Sequence, residues 1–148
     1  MNYLRYVPIV CIIGAIVGFI SVTQLWVHSV AEYPWLSDMT GLDLMNCDWG
    51  GFQAYVPMIV VLLSALTVII SVMTMTVRGF WFGTFICLIF GMGTMIVTSL
   101  FSMWVVEGEK MVHFVDIGFW LSYVAGAITL LGVALQYSMM FRKPVKAK

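Results

Sequence analysis

Small and hydroxyl-bearing residues recur at steps of three and four within four bulky apolar stretches of the chain. The stretches contain no Asp, Glu, Lys or Arg and cover residues 6–27, 56–77, 80–105 and 117–140. Each is long enough to cross a bilayer, which takes roughly 20 apolar residues. Because a step of three or four keeps residues on one face of a helix, the pattern predicts four transmembrane helices, each with one narrow face of small or weakly polar side chains.

We call these faces together the seam. In lipid, apolar side chains gain little by leaving the tails, so helices associate through small residues that let their backbones approach and through weak polar contacts. The seam therefore predicts where the helices touch. It consists of Gly14, Gly18, Ser64, Thr67, Ser71, Thr74, Thr84, Gly91, Thr94, Thr98, Gly118, Ser122, Thr129 and Gln136.

The second and third stretches are separated by a tight turn predicted at Arg78-Gly79. Such a short connection makes the two helices antiparallel neighbours, and we expect their seams to face each other. Heptad-like spacing favours left-handed packing at small crossing angles. The predicted fold is an all-α integral membrane protein, a single domain over residues 1–148 in which four transmembrane helices form an antiparallel left-handed bundle.

Gly14 and Gly18 also form a GxxxG pattern in the first stretch. This pattern can mark a dimerisation face. In a chain with several spans it more often serves packing within the chain, because small residues four apart are common in membrane bundles. We favour internal packing and keep dimerisation as the alternative.

Charge is distributed unevenly, although the chain of 148 residues is 62% hydrophobic, only 9% charged and has no net charge. All bases except Lys110 lie in the N-terminus, the second connection and the tail at 141–148, whereas every acid lies in the loops at 28–55 and 106–116. By the positive-inside rule, both termini are cytoplasmic and the two acidic loops are external. We expect a multi-pass protein of the plasma membrane, with Trp26 and Trp104 at the outer membrane interface and Phe80, Trp81 and Phe82 at the inner one.

The first external loop contains several aromatic residues beside its acids. Disordered linkers are poor in aromatics, so we expect this loop to fold as a cap on the outer helix ends, with a short helix or extended segments within residues 37–46. Calcium binding by the loop acids is the alternative, but the EF-hand spacing is absent. The candidate contact residues of the cap are Trp35, Asp38, Asp43, Asp48 and Trp49.

Groups that carry chemistry are scarce. The four stretches contain no carboxylate or base of the kind that marks proton relays and ion-coupled carriers. The chain has no motif for a catalytic serine, a zinc protease or a phosphate-binding loop. Cys11 and Cys87 are interpreted as small buried residues, and Cys47 as an unpaired or buried thiol of the loop, with a bridge to another chain as the alternative. We therefore expect no enzyme activity, catalytic residue, cofactor, metal site or nucleic-acid partner.

The sequence favours a small structural or accessory membrane protein. It would lie in the lipid bilayer, pack with other membrane subunits or with copies of itself, and present an acidic, aromatic cap outside. The first alternative is an oligomeric channel or small-solute transporter whose path is lined by the Ser and Thr residues of the seam. The second is a subunit of a membrane metalloenzyme that contributes ligands from the outer loops.

Overall fold

The chain folds mainly into helices, as its apolar periodicity predicts. The computed structural model describes residues 7–31, 37–46, 51–77, 80, 82–106 and 108–140. Within these residues, three helical segments are long and apolar enough to cross a membrane, namely Phe52–Thr76, Phe82–Ser102 and Ile117–Met140. A fourth apolar helix, Pro8–Thr23, is shorter.

The α-helices differ in length. At 1.5 Å per residue, the three long ones measure about 31 to 36 Å and the first about 24 Å. The first and third have a proline in their first turn, where the missing N–H would lack a helical partner in any case. In chain order the helices are α1 (Pro8–Thr23), α2 (Gly41–Leu44), α3 (Val56–Thr76), α4 (Phe82–Ser102) and α5 (Ile117–Met140).

The first helix ends at Thr23, before the predicted boundary at residue 27. Gln24 is extended, with φ −90° and ψ 166°, and the next residues form strand β1 (Leu25–Val27). This strand pairs antiparallel with β2 (Met39–Thr40), and Val27 also bridges to Val115. The helix stops because partners distant in sequence supply the backbone hydrogen bonds of β1, which local periodicity does not show.

The remaining connections are compact. Phe52–Tyr55 forms a 3-10 turn that leads into α3. After α4, strands β3 (Val105–Val106) and β4 (Glu109–Lys110) form a short hairpin, followed by a 3-10 turn at Met111–His113. Gly108 has φ 90° in this hairpin, a conformation that side chains disfavour. The turn predicted at Arg78-Gly79 lies outside the described residues.

The four apolar helices pack in a ring in the order α1, α3, α4 and α5, and α5 closes on α1. Neighbours run in opposite directions. Along α1 and α5, Gly14 lies against Thr129 at one level and Ser21 lies against Gly118 at another. From Gly14 to Ser21 the residue numbers of α1 increase, whereas those of the α5 partners decrease from Thr129 to Gly118. Helices α1 and α5 are therefore antiparallel neighbours.

The short strands, α2 and the 3-10 turns collect at one end of the ring, where α1 ends and α5 begins. We call this the capped end. Its core is aromatic: Trp26 packs edge-on against Phe101 and Phe119, at centroid distances of 5.3 and 6.2 Å, and Phe101 packs against Trp104. Leu44 of α2 and Met111 complete this buried cluster.

Two interface predictions are wrong. Trp26 is fully buried, and Trp104 is also buried, so neither lies at the surface that lipid would contact. For Trp26 the reason is the early end of α1: the residue lies in the extended segment at 25–27, where Trp26 and Val27 are buried in the cluster of the capped end. Exposed aromatic side chains near this end are instead Phe52, Tyr55 and Trp120.

Candidate functional site

Two parts of the molecule are candidates for function, the seam and the capped end. Of the seam residues, all are buried except Thr74, which is half-buried. The long helices thus turn their small and hydroxyl-bearing faces toward one another and their bulky side chains outward. Exposed members of the outward faces include Ile13, Leu62, Ile89, Met92 and Leu131.

The glycines of the seam lie at close helix contacts. A Cβ added at Gly14 would collide with the Thr129 hydroxyl and the Ala125 carbonyl, and one at Gly18 would collide with the Ser64 hydroxyl. Both positions of the GxxxG pattern therefore face other helices of the same chain. A Cβ added at Gly118, where α5 begins, would likewise collide with Trp26 and with the Ser21 carbonyl.

Most hydroxyls of the seam already have a partner within their own helix. Thr67, Thr94 and Thr129 donate to the carbonyl four residues earlier, at 2.8, 2.9 and 3.0 Å. Ser122 donates to the Phe119 carbonyl at 2.6 Å, and its oxygen lies 3.1 Å from the Thr98 hydroxyl. Such bonds satisfy a buried hydroxyl without water.

The seam of α4 faces two helices and not α3 alone. Toward α3, Cys87 Sγ lies 3.6 Å from Ser71 Oγ. Toward α5, Thr98 contacts Ser122, and Gly91 lies against Leu130 and Thr129. The ring order explains this division, because α4 has α3 on one side and α5 on the other.

At the capped end, the loop does contain a short helix within residues 37–46, as predicted. Helix α2 begins with a capping box: Thr40 Oγ1 accepts from the Asp43 amide at 3.3 Å, and Asp43 Oδ2 accepts from the Thr40 amide at 3.0 Å. The hydroxyl of Thr40 also donates to Asp43 Oδ2, and these bonds hold the pKa of the Asp43 carboxyl below its usual value. The Asp43 carboxylate therefore binds within the loop, to the residue that begins α2.

Asp38 has a comparable role. The amide of Ser29 donates to Asp38 Oδ1 at 2.6 Å and lowers the pKa of that carboxyl, so the acid ties the end of β1 to the segment before β2. His28 Nδ1 lies 3.9 Å from Asp116 Oδ2. Trp35, Asp48 and Trp49, the other predicted contact residues, lie outside the described residues.

Cys11 and Cys87 are brought together, which sequence analysis missed. They come from α1 and α4, which lie diagonally across the ring, and both belong to one buried cluster with Val133. Both side chains are buried. Cys11 lies three residues before Gly14 and Cys87 lies four before Gly91, so each cysteine is on the seam face of its helix. That spacing was the feature of the sequence that indicated burial of both thiols. The pairing itself depends on the diagonal of the ring.

Clusters of three or more His, Cys, Asp or Glu that would hold a metal ion are absent from the part of the chain that the structure describes. Comparison of the chain with protein-family models, with curated proteins and with solved structures returns no match. The seam and the capped end are therefore the features from which we infer a function.

Proposed function

We propose that the chain is a small accessory membrane protein that forms a four-span, left-handed antiparallel bundle and assembles with other membrane subunits or with itself. The observation that carries this proposal is the packing of the seam: most of its hydroxyls donate to carbonyls of their own helices, and neighbouring helices fill the space beside its glycines. A path for ions or solutes needs polar groups free to replace a hydration shell. Saturated groups favour a dry scaffold.

The topology of this proposal follows from charge. The bases at both termini and at Arg78 belong in the cytoplasm, and the capped end with Asp38, Asp43 and Asp116 belongs outside. At about 24 Å, α1 is shorter than the roughly 30 Å hydrocarbon core. A short span is accommodated by local thinning of the bilayer or by neighbouring helices.

The capped end supplies the contact surface for a partner. It is a folded platform fixed to the helix ends through the cluster around Trp26, so little order is lost when a partner binds. On it, the exposed apolar residues Leu42 and Phe52 lie in the same loop as the exposed acids Asp38 and Asp43, and the exposed Val112 lies in the second loop. Apolar side chains with a polar rim are typical of protein interfaces.

Site-specific photocrosslinking in the native membrane tests this role. A photoreactive residue at Leu42 or Phe52 should capture a discrete partner or a second copy, identified by mass spectrometry after purification. The matched control is Ile89, which is exposed on the outward face of α4 and should capture mainly lipid. A stable monomer with no crosslinked partner from either cap position contradicts the proposal.

A flux assay in liposomes separates the scaffold from the channel. The reconstituted protein should not conduct ions or small solutes, and Ser71→Ala and Thr94→Val should leave the background leak unchanged. Conduction that either substitution abolishes would establish a pore. Cysteines introduced at Ser71 and Thr94, after replacement of the native cysteines by serine, should likewise resist water-soluble thiol reagents.

A further inference from the structure

The two loops of the capped end carry charge of almost one sign. Residues 28–55 and 106–116 contain all seven acids of the chain but only one base, Lys110, so with neutral histidines their net charge is −6. The other six Lys and Arg residues belong to the termini and to the connection between α3 and α4. A surface of this kind attracts positively charged groups and repels another surface like itself.

Two of these acids, Asp38 and Asp43, are held in place without losing their charge. Asp38 accepts from the Ser29 amide at 2.6 Å, and Asp43 accepts from the amide and the hydroxyl of Thr40 at 3.0 and 2.7 Å. These donors are uncharged, and they lower the pKa of both carboxyls, so both acids are ionised at neutral pH. Because each carboxylate is already fixed in position, little order is lost when a positive group binds beside it.

Exposed apolar side chains on the same two loops are a second, independent observation. Leu42 of α2 is 48% exposed, and Val112 of the 3-10 turn Met111–His113 is 40% exposed. Leu44 and Met111, from the same two segments, are fully buried in the aromatic cluster of the capped end. Both segments are thus anchored on one cluster and present a fixed surface. Apolar side chains among charged ones are typical of a surface that binds protein.

We propose that the capped end binds a positively charged segment of a different membrane subunit, one that also carries apolar side chains. This inference rests on the accessory role proposed above and decides between its two kinds of partner, other subunits and further copies. Lys or Arg side chains of the segment pair with the carboxylates of Asp38 and Asp43, and its apolar side chains cover Leu42 and Val112. Complementary charge speeds association and excludes wrong partners, while apolar burial holds the complex together.

A second copy of the chain does not fit this surface. Symmetric pairing places the same patch on both sides of the interface, so it would bring one charge of −6 against another, with a single Lys110 on each side. The GxxxG pattern does not offer a copy a second contact, because Thr129 and Ser64 of the same chain lie against Gly14 and Gly18.

Crosslink mapping in the native membrane tests the charge of the partner. A photoreactive residue at Leu42 is activated, and the crosslinked peptides are identified by mass spectrometry. The expected product joins position 42 to a segment of another protein in which Lys and Arg outnumber Asp and Glu. A crosslink to a second copy, or to a segment of neutral or negative charge, overturns the inference and leaves the accessory role standing. If neither Leu42 nor Phe52 captures a protein, both proposals fail.

Lys110→Glu gives a second test that leaves the bonds of Asp38 and Asp43 intact. Lys110 is exposed, and the substitution makes the capped end more negative. The yield of the Leu42 crosslink should fall as NaCl rises from about 0.05 to 0.5 M, because salt screens the charges. In Lys110→Glu, the salt concentration that halves this yield should rise roughly 2-fold, since more charge must be screened.

Ser138→Glu is the matched control, because it adds a negative charge at an exposed position near the opposite end of α5. It should leave the salt dependence of the Leu42 crosslink unchanged. A yield that salt does not reduce overturns the inference. So does a salt dependence that Lys110→Glu leaves unchanged or shifts to lower concentration, or that Ser138→Glu shifts as much as Lys110→Glu.

Discussion

Trp26 combines complete burial with one polar bond. Its indole N–H donates to the Ser21 carbonyl at 2.8 Å, and its ring contacts Phe101 and Phe119 edge-on. We expect Trp26→Ala to lower the free energy of unfolding by about 3 to 5 kcal/mol, because it removes a large buried side chain and leaves a cavity. Thermal unfolding in detergent measures the effect.

The matched control for Trp26 is Trp120, which lies in α5 and is 56% exposed. Trp120→Ala should change stability in detergent far less. If the two alanine variants unfold at the same temperature, Trp26 does not hold the capped end together.

Alanine substitutions at Gly14 and Gly93 test close helix packing, because they should change the free energy of unfolding in different directions. Alanine favours a helix over glycine by about 1 kcal/mol. At Gly14, a Cβ would lie 2.8 Å from the Ala125 carbonyl oxygen, which is backbone and cannot move aside, so Gly14→Ala should destabilise. At Gly93 the nearest atom is a Leu63 methyl at 3.4 Å, so Gly93→Ala should be neutral or stabilising. Destabilisation by both variants, or by neither, would contradict this account.

Residue-level features were predictable where they depend on local periodicity. Steps of three and four identified positions such as Ser71 and Thr98, which the structure buries. The placement of Trp26 and the meeting of Cys11 with Cys87 were not predictable in this way. Each depends on which helices are neighbours and where a helix stops, and those are set by contacts between residues far apart in the chain.

At the scale of elements, the capping box of α2 should make the loop sensitive to acid. The pKa of Asp43 is lowered by its bonds to Thr40, so its contribution to folding is present above the ordinary value of about 3.9 and is lost as the pH falls through the lower pKa of the folded state. The protection factors of the amides in residues 40–44, which compare the observed exchange rate with the intrinsic rate at each pH, should therefore fall below about pH 4.

Asp43→Asn is the control for this acid response. The variant should have lower protection factors near neutral pH and should lose most of the further fall in acid, since the titrating group is gone. A fall of the protection factors in acid that is the same in both proteins would assign the effect to another group. Asp38, whose pKa is also lowered by its bond to the Ser29 amide, is the first candidate.

Elements differ in how far their sequence determines them. Helix α2 could be predicted because the two residues that form its capping box, Thr40 and Asp43, are only three positions apart. Strand β1 was not, because its partners at Met39 and Val115 lie in two different loops. Its three residues are as apolar as the helix before them, so only tertiary pairing distinguishes the two.

For the whole molecule, the proposed topology predicts which surfaces a membrane-impermeant maleimide reaches. In a Cys47→Ser background, cysteines at Leu42 and Val112, both exposed at the capped end, should be labelled on intact cells. A cysteine at Ser138, exposed near the opposite end of α5, should react only after the membrane is opened. Labelling of Ser138→Cys on intact cells would reverse the orientation.

The contact between α1 and α5 determines when the bundle can be completed during synthesis and membrane insertion. Helix α1 leaves the ribosome before α5 and presents Gly14 and Gly18, and the groups that fill the space beside Gly14 arrive with α5. Until α5 has been translated and inserted, Gly14 of α1 is uncovered and Trp26 lacks Phe119. A nascent chain stalled before residue 117 would therefore be a substrate for membrane chaperones and proteases. Its release from them would indicate that the ring of helices is complete.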